Sequence, residues 1–423
     1  MTNSPQHIVN HLFRHESGRM VAVLARIFGL HNLQLAEDVV QEAFLKAMQT
    51  WKFDHIPDNP SAWLMQVARN KAIDLIRKQQ HANLYSREIA GTTTDEETSI
   101  IQFFHEEEIA DSQLRMIFAC AHPFLKEEDQ IALTLKTVSG FSAAEIAKSL
   151  LTSEAVIQKR LYRAKEFIRQ HNVQFHIPAG KELEERINTV HAILYLIFNE
   201  GYNSMKADEL IRKDLCGEAM RLCKLLTEHK RGNIPATFAL LSLMCFHAAR
   251  FESRLTENNE LVLLQEQDRS KWNKDLITIG YNYLNHSTAG NQLSVYHIES
   301  AIAAEHCLAP TFSQTNWERL LRLYDLLMEV KPSAIVQLSR AVVIAEMGNI
   351  QMAIESIHAI AKLDQLMNTH YIYSAVLGDL YKRLSNTVKA KQYLEQAHDL
   401  THSDAEKKLI HEKLEAVLRS SQN

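Results

Sequence analysis

The chain has 423 residues, a formal net charge of −5 and 46% apolar residues, with only 12 Gly and 8 Pro. That composition favours long helices over sheets, and the length allows about two to four domains. The acidic balance excludes a protein that coats nucleic acid by bulk charge, and no run approaches the roughly 20 apolar residues that cross a bilayer.

The N-terminus, MTNSPQHIVNHLFRHESGR, carries no apolar signal core, so a cytoplasmic protein without membrane contact is expected. Residues 5–88 read as helices. In the stretch Ala36 to Trp51, Val39, Val40, Ala43, Phe44 and Ala47 form an apolar face, while Glu37, Asp38, Gln41, Glu42 and Lys46 form a polar one. In Pro57 to Gln79, Trp63, Leu64, Val67, Ala68, Ile73, Leu75 and Ile76 alternate with Arg69, Asn70, Lys71, Arg77 and Lys78. Aromatic rings beside cations suit unpaired DNA, because bases stack on rings while cations hold phosphates.

Residues 89–105 read as a linker, with Gly91 and Thr92–Thr94 ahead of Asp95, Glu96 and Glu97. Residues 106–172 form a second helical block ending in a helix-turn-helix. Ser142 and Glu145 have the spacing of a capping box, and Ile146, Ala147 and Leu150 give the first helix its apolar face. Leu151-Thr152 makes the turn and Ser153 caps a second helix. There Val156, Ile157, Leu161, Ala164 and Ile168 are expected to pack inward, with Gln158, Lys159, Arg160, Arg163, Lys165 and Arg169 outside. An apolar back and a cationic front suit the major groove of DNA.

A break from His171 to Glu182 precedes a further helical block, residues 183–419. From Tyr371 to His402, Leu377-Gly378, Tyr381, Ala390, Leu394 and Ala397 follow the large-small, aromatic, small, large, small spacing of a tetratricopeptide unit. Ala334 to Leu363 is a weaker unit, with Ala341 and Ala353 small and Gly348-Asn349 in the turn; Ser294 to Pro332 is weaker still. In the IFNEGYN cluster, Gly201 is expected to cap a helix end. Glu266, Asp268, Arg269 and Trp272 are expected to form an ion-pair network with Asn199, Glu200 and Tyr202. The five cysteines have no metal-ligand spacing and read as reduced core thiols, and His191 reads as structural. No nucleophile motif, phosphate loop or metal spacing occurs, so neither catalysis nor a cofactor is expected.

DVVQEAFLKAMQTW followed by PSAWLMQVARNKAIDLIRK resembles region 2 of bacterial sigma factors of the extracytoplasmic-function (ECF) group. The helix-turn-helix with its upstream DQIALTLKTVSGFS resembles region 4 of the same family. Beyond roughly residue 170, LYLIFNEGYNS, DLCGEAMRL, QEQDRSKWN and the tetratricopeptide-like end resemble the C-terminal extension of one ECF subgroup.

The resemblance implies an all-α protein that binds core RNA polymerase and directs it to promoters. Asp38, Gln41, Glu42 and Phe44 would dock on the clamp helices of the largest subunit, while region 4 would meet the flap. Asp58 and Asn59, in the loop Phe53 to Pro60, would hold a flipped base of the −10 element. Trp63, Arg69, Asn70, Lys71 and Arg77 would line the strand. Ser153, Glu154, Val156, Gln158, Lys159, Arg160 and Arg163 would face the −35 element. Most members are silenced by a separate anti-sigma factor; here the C-terminal domain is expected to supply control, by packing on the sigma regions or by binding a regulatory partner. The alternative is a helix-turn-helix regulator with a tetratricopeptide-like sensor, which would not need the Asp38–Phe44 and Trp63–Arg77 stretches.

Overall fold

The computed structural model describes residues 5–51, 56–84, 100–150, 152–202, 211–256, 260–290, 292–401 and 404–420. Among them the chain is helical, with one isolated bridge, Leu255 to Leu261, in place of any sheet. Two compact units emerge, Met1–Ile197 and Phe198–Asn423.

The first unit opens with three helices: α1 (Pro5–Phe28), α2 (Leu33–Thr50) and α3 (Pro60–Leu84). Gly29, at φ 84°, ends α1. Asn59 caps α3, its side-chain oxygen accepting from the Ala62 amide at 3.0 Å, while Pro60 takes the first helical position, where its missing N–H costs nothing. The apolar stripe read from the sequence is the core of this bundle. Val39, Val40, Ala43, Phe44 and Ala47 are each at most 3% exposed, and the Phe44 ring meets Phe13 edge-on at 4.8 Å.

Four further helices follow: α4 (Glu106–Cys120), α5 (Glu127–Thr137), α6 (Ala143–Ser149) and α7 (Glu154–Gln170). The capping box at Ser142 forms as expected. The Glu145 amide donates to Ser142 Oγ at 3.1 Å, and the Ser142 amide donates to Glu145 Oε2 at 2.8 Å. Ile157, Leu161, Ala164 and Ile168 bury the back of α7. Val156 does not join them: it is 40% exposed, because it lies about 100° round the helix from Ile157 and so off the face that Ile157, Leu161, Ala164 and Ile168 bury. Leu151 lies outside the described residues. α1 packs on both α4 and α5, so the two helical groups form one unit.

The helix α8 (Lys181–Tyr202) contains the division between units. The second unit continues with α9 (Lys213–Glu228), α10 (Pro235–Ala248), α11 (Lys274–Ser287) and α12 (Val295–Leu308). α10 is apolar on every side and buried from Ala239 to Phe246, as expected of a helix enclosed by α9, α11 and α12. Antiparallel pairs follow: α13 (Trp317–Val330) with α14 (Ala334–Glu346), and α15 (Ile350–His358). Then come the short α16 (Leu363–Met367), α17 (Tyr371–Arg383), α18 (Thr387–Leu400) and α19 (Asp404–Ser420).

The repeat spacing has a direct physical basis here. A Cβ on Gly378 would sit 2.7 Å from Leu394 Cγ, so only glycine lets α17 and α18 approach this closely. Ala341, Ala353, Ala390 and Ala397 are fully buried between helices, and Gly348 makes its turn at φ 90°, a value L-residues with side chains avoid.

Candidate nucleic-acid and polymerase interface

α2 sorts the four residues expected to meet a protein partner into two sets. Asp38, Gln41 and Glu42 are exposed; Gln34 Nε2 donates to Asp38 Oδ1 at 2.9 Å. Phe44 is only 3% exposed, which corrects its expected role: it holds α2 in the bundle and offers no surface to a partner. The same face instead presents Leu45 and Met48, 50% and 48% exposed. They follow Gln41 at helical spacing. The sequence did not mark them, because two more aliphatic residues on a half-buried helix read as core.

On α3, Trp63, Asn70 and Arg77 recur every seven residues and so share one face at intervals of about 10 Å. Asn70 and Arg77 are exposed, while Trp63 is half-buried with its ring edge-on to Trp51 at 5.3 Å. Gln66 Nε2 donates to Asn70 Oδ1 at 2.7 Å, and Arg69 donates to Gln66 Oε1. Arg69 Nε is buried without a hydrogen-bond partner among the described residues. Lys71 departs from the expected row: its ammonium lies 2.6 Å from Glu42, tying α3 to the exposed face of α2.

Asp58 and Asn59 stand at the head of α3. Of the loop Phe53 to Pro60, residues 53–55 lie outside the described residues, as does 89–99 of the linker. A cavity of about 260 Å³ adjoins the α3 terminus, lined by Asn59, Met65, Gln66 and Arg69 and by Glu16 and Arg19 of α1. Asp58, Trp63, Asn70, Lys71 and Arg77 do not line it.

The first turns of α7 carry the second site. Ser153, Glu154, Val156, Gln158 and Lys159 are exposed and Arg160 is half-buried. Ser153 Oγ accepts from the Val156 amide at 3.3 Å, and Gln158 Nε2 donates to Glu154 Oε1 at 3.1 Å. The helix terminus adds a partial positive charge beside this polar surface. Arg163 is committed elsewhere: its guanidinium donates to Asp129 Oδ1 at 2.7 Å, on a carboxylate only 6% exposed. Tyr162, 69% exposed, escaped the sequence reading.

The C-terminal cluster differs from its expected pairing. Gly201 is an internal residue of α8 and no cap. A Cβ there would lie 2.7 Å from Cys216 Sγ and 2.8 Å from the Arg212 carbonyl oxygen, so its role is close packing. Arg254, which the sequence did not mark, stacks on the Tyr202 ring at 3.7 Å and donates to the Tyr202 carbonyl. Arg269 instead donates to the His306 and Ala309 carbonyls, and Asp268 Oδ1 accepts from the Ser270 amide. Burial raises the Glu200 carboxyl above its ordinary value. His191 is buried and held down to about 4 by that burial. Among the described residues, no group of His, Cys, Asp and Glu is placed to hold a metal ion, and no helix is long and apolar enough to cross a membrane.

Comparison with known proteins finds three family matches. Residues 12–82 match sigma-70 region 2, residues 115–168 match sigma-70 region 4, and residues 186–288 match a family of unknown function, DUF6596. An uncharacterized protein of Rhizobium meliloti, R00370, is 32% identical over 94% of both chains. The ECF RNA polymerase sigma factor SigW of Bacillus subtilis is 27% identical over 33% of this chain and 77% of its own. The ECF RNA polymerase sigma factor SigL of Mycobacterium tuberculosis is 30% identical over 32% of this chain and 72% of its own. No solved structure matches.

Proposed function

The chain belongs to the ECF group of sigma-70-type RNA polymerase sigma factors, and from that premise we propose how its surfaces divide the work of promoter-specific initiation. The exposed face of α2, with Asp38, Gln41, Glu42, Leu45 and Met48, docks on the clamp helices of the largest polymerase subunit. The cavity beside Asn59 and Arg69 takes a base of the −10 element once the strands part. Trp63, Asn70 and Arg77 carry the neighbouring stretch of strand. The first turns of α7, from Ser153 to Arg160, read the −35 element in the duplex major groove, with region 4 held against the flap. The protein works in the cytoplasm with polymerase and DNA as partners and catalyses nothing itself.

The observation that supports this reading is the coexistence of two separate polar surfaces, the α3 face of a kind that suits unpaired bases and the first turns of α7 of a kind that suits the major groove. A net charge of −5 fits a reader delivered by polymerase better than one that finds DNA alone. The test is run-off transcription with core polymerase, the full chain and a promoter library. A discrete set of promoter-specific transcripts is expected; an active preparation that yields none overturns the reading.

The second unit is the regulatory domain in this proposal. The inner faces of α14, α17 and α19 line a cavity of about 640 Å³ through Val342, Val376 and Leu409, joined by Trp317 and Tyr324 of α13. The extended segment Leu261 to Leu263 forms another wall, held at one end by the Lys408–Glu260 ion pair. Concave, solenoid-like surfaces of this kind bind extended peptides. Substituting Val342→Glu should change promoter output in cells without changing run-off activity with purified polymerase; unchanged output under every inducing condition counts against a regulatory groove.

A further inference from the structure

Two kinds of wall meet in the cavity of the second unit. Its volume of about 640 Å³ lies in the range of about 300–1,000 Å³ that encloses small-molecule ligands. Val342, Val376 and Leu409 line it from α14, α17 and α19. Arg250 and Arg254, just after α10, and His306 of α12 line it as well.

The polar side chains on the helical wall are already paired. Arg383 lies 2.6 Å from Glu346, and Lys413 lies 3.2 Å from Asp379. Tyr371 Oη donates to Glu406 Oε1 at 2.5 Å, and Tyr324 hydrogen-bonds Ser339. All of them line the cavity. A peptide laid along this wall would need a partner for each backbone N–H and C=O that it buries, and these pairs leave few. An apolar body needs none. Solenoid grooves in general take peptides; this one differs in what its walls leave free.

The cationic wall is the reverse, with nothing negative opposite it. Arg250 is half-buried and its Nε donates to Gln267 Oε1 at 3.1 Å. Among the described residues its guanidinium forms no ion pair; it lies 5.5 Å from the centre of the Trp272 ring, which the Arg269 guanidinium also approaches, at 4.5 Å. Arg254 turns to the ring and carbonyl of Tyr202. His306 Nδ1 and Arg269 Nη2 are buried without a hydrogen-bond partner among the described residues. Burial, then Arg250, then Arg269 hold His306 down and therefore neutral, as a cationic field does where no carboxylate offsets it. A desolvated cation without a counter-charge is costly. The Nη fork of Arg250 has the planar geometry that grips a carboxylate. One such fork beside one neutral imidazole calls for a single negative charge.

We propose that this cavity binds a small amphipathic monocarboxylate, its head gripped by Arg250 beside His306 and its apolar body laid along Val342, Val376 and Leu409, and that this acid is the effector of the second unit. The effector role rests on reading that unit as regulatory; the binding site does not.

The test is calorimetric titration of the full chain with decanoate, 1-decanol and decylamine, each below its micellar concentration. Decanoate should bind one per chain, about tenfold or more tightly than the alcohol, because a charge-assisted pair with arginine separates the two. Decylamine should bind more weakly than either, its charge facing like charge. Arg250→Gln should abolish the preference for the acid and leave the affinity for the alcohol unchanged, which separates a lost head-group contact from a lost fold. Should Arg250→Gln fail to fold, Gln267→Glu supplies the second arm. It gives Arg250 the carboxylate it lacks and should weaken decanoate by about tenfold while sparing decanol.

Equal binding of acid and alcohol, an acid preference that survives the substitutions in folded protein, or no binding by any of the three overturns the site. So does a pool of capped random heptapeptides that binds more tightly than decanoate, which returns the cavity to peptides. If the acid fails while Val342→Glu still changes promoter output in cells, the regulatory reading stands without it. If decanoate binds as expected while output answers neither to it nor to Val342→Glu, the site stands and the regulatory reading falls.

Discussion

Arg163 on the DNA-reading helix points its guanidinium at the buried carboxylate of Asp129, 2.7 Å away at the start of α5. A residue whose sequence position suggested a phosphate contact is also a brace between two helices, and the two roles separate experimentally. A pure phosphate contact, when removed, lowers the salt dependence of DNA binding by about one ion and leaves stability alone. Removing this pair strands a carboxylate that is 6% exposed. Such a loss costs about 3–5 kcal/mol when both partners are buried, and about 1–2 kcal/mol here, where solvent screens the half-exposed arginine. Arg163→Ala should therefore lower the melting temperature of the first unit by roughly 3–6 °C. Arg163→Ala with Asp129→Leu should recover most of it, measured by scanning calorimetry.

Phe44 and Leu45 are neighbours with opposite surroundings. Phe44→Ala should cost about 3–5 kcal/mol through the cavity it leaves, and lose polymerase binding only by unfolding. Leu45→Glu should leave stability within about 0.5 kcal/mol and weaken binding to core polymerase at least tenfold, since an apolar anchor in an interface is worth about 1.4 kcal/mol or more. Equal effects of the two substitutions on urea unfolding would contradict the surface assigned to α2.

Gly378→Ala drives a methyl group to 2.7 Å from Leu394 Cγ. Overpacking of this kind costs about 1–3 kcal/mol, despite the gain in helix propensity. Leu394→Ala removes the obstacle, so the double variant should be more stable than the sum of the two single losses, with a coupling of about 1 kcal/mol in urea titrations.

Stability should fall in mild acid. Burial holds His306 down to about 4 and His247 to about 3, against about 6.5 in the unfolded chain. The folded state keeps them neutral, so between about pH 4 and 6.5 the unfolded chain binds more protons and stability drops as pH falls. Each histidine contributes about 1.4 kcal/mol per pH unit below 6.5. From pH 7.5 to 5.5 the second unit should lose about 3 kcal/mol, roughly 6–12 °C in its calorimetric midpoint. His306→Gln should flatten the dependence; a midpoint indifferent to pH in the native chain would exclude neutral buried histidines.

The sequence carried the helical organisation well wherever one face was continuously apolar. The α2 stripe, the capping box at Ser142 and the small positions Ala341, Ala353, Ala390 and Ala397 all stand where periodicity put them. It failed where the answer depended on a distant neighbour. Val156 stands at the edge of the apolar stripe of α7, about 100° round from Ile157, and only the packing neighbours decide that this edge stays uncovered. The commitments of Lys71 to Glu42 and Arg163 to Asp129 join residues far apart in the chain. Gly201 reads as a helix stop from its flanks, yet it is fixed by the later approach of Cys216. Gly18, inside a helical run, gives no local sign that it abuts the Val138 carbonyl.

The thiols carry a consequence for signalling. Burial pushes Cys120, Cys216 and Cys245 up to about 12 and Cys307 up to about 11. Peroxides and disulfides react with thiolates. Held as thiols at neutral pH, these sulfurs offer little thiolate to either. These cysteines are thus poorly placed to sense oxidation themselves, and an oxidative stimulus is expected to be transduced by another molecule before it reaches the promoter.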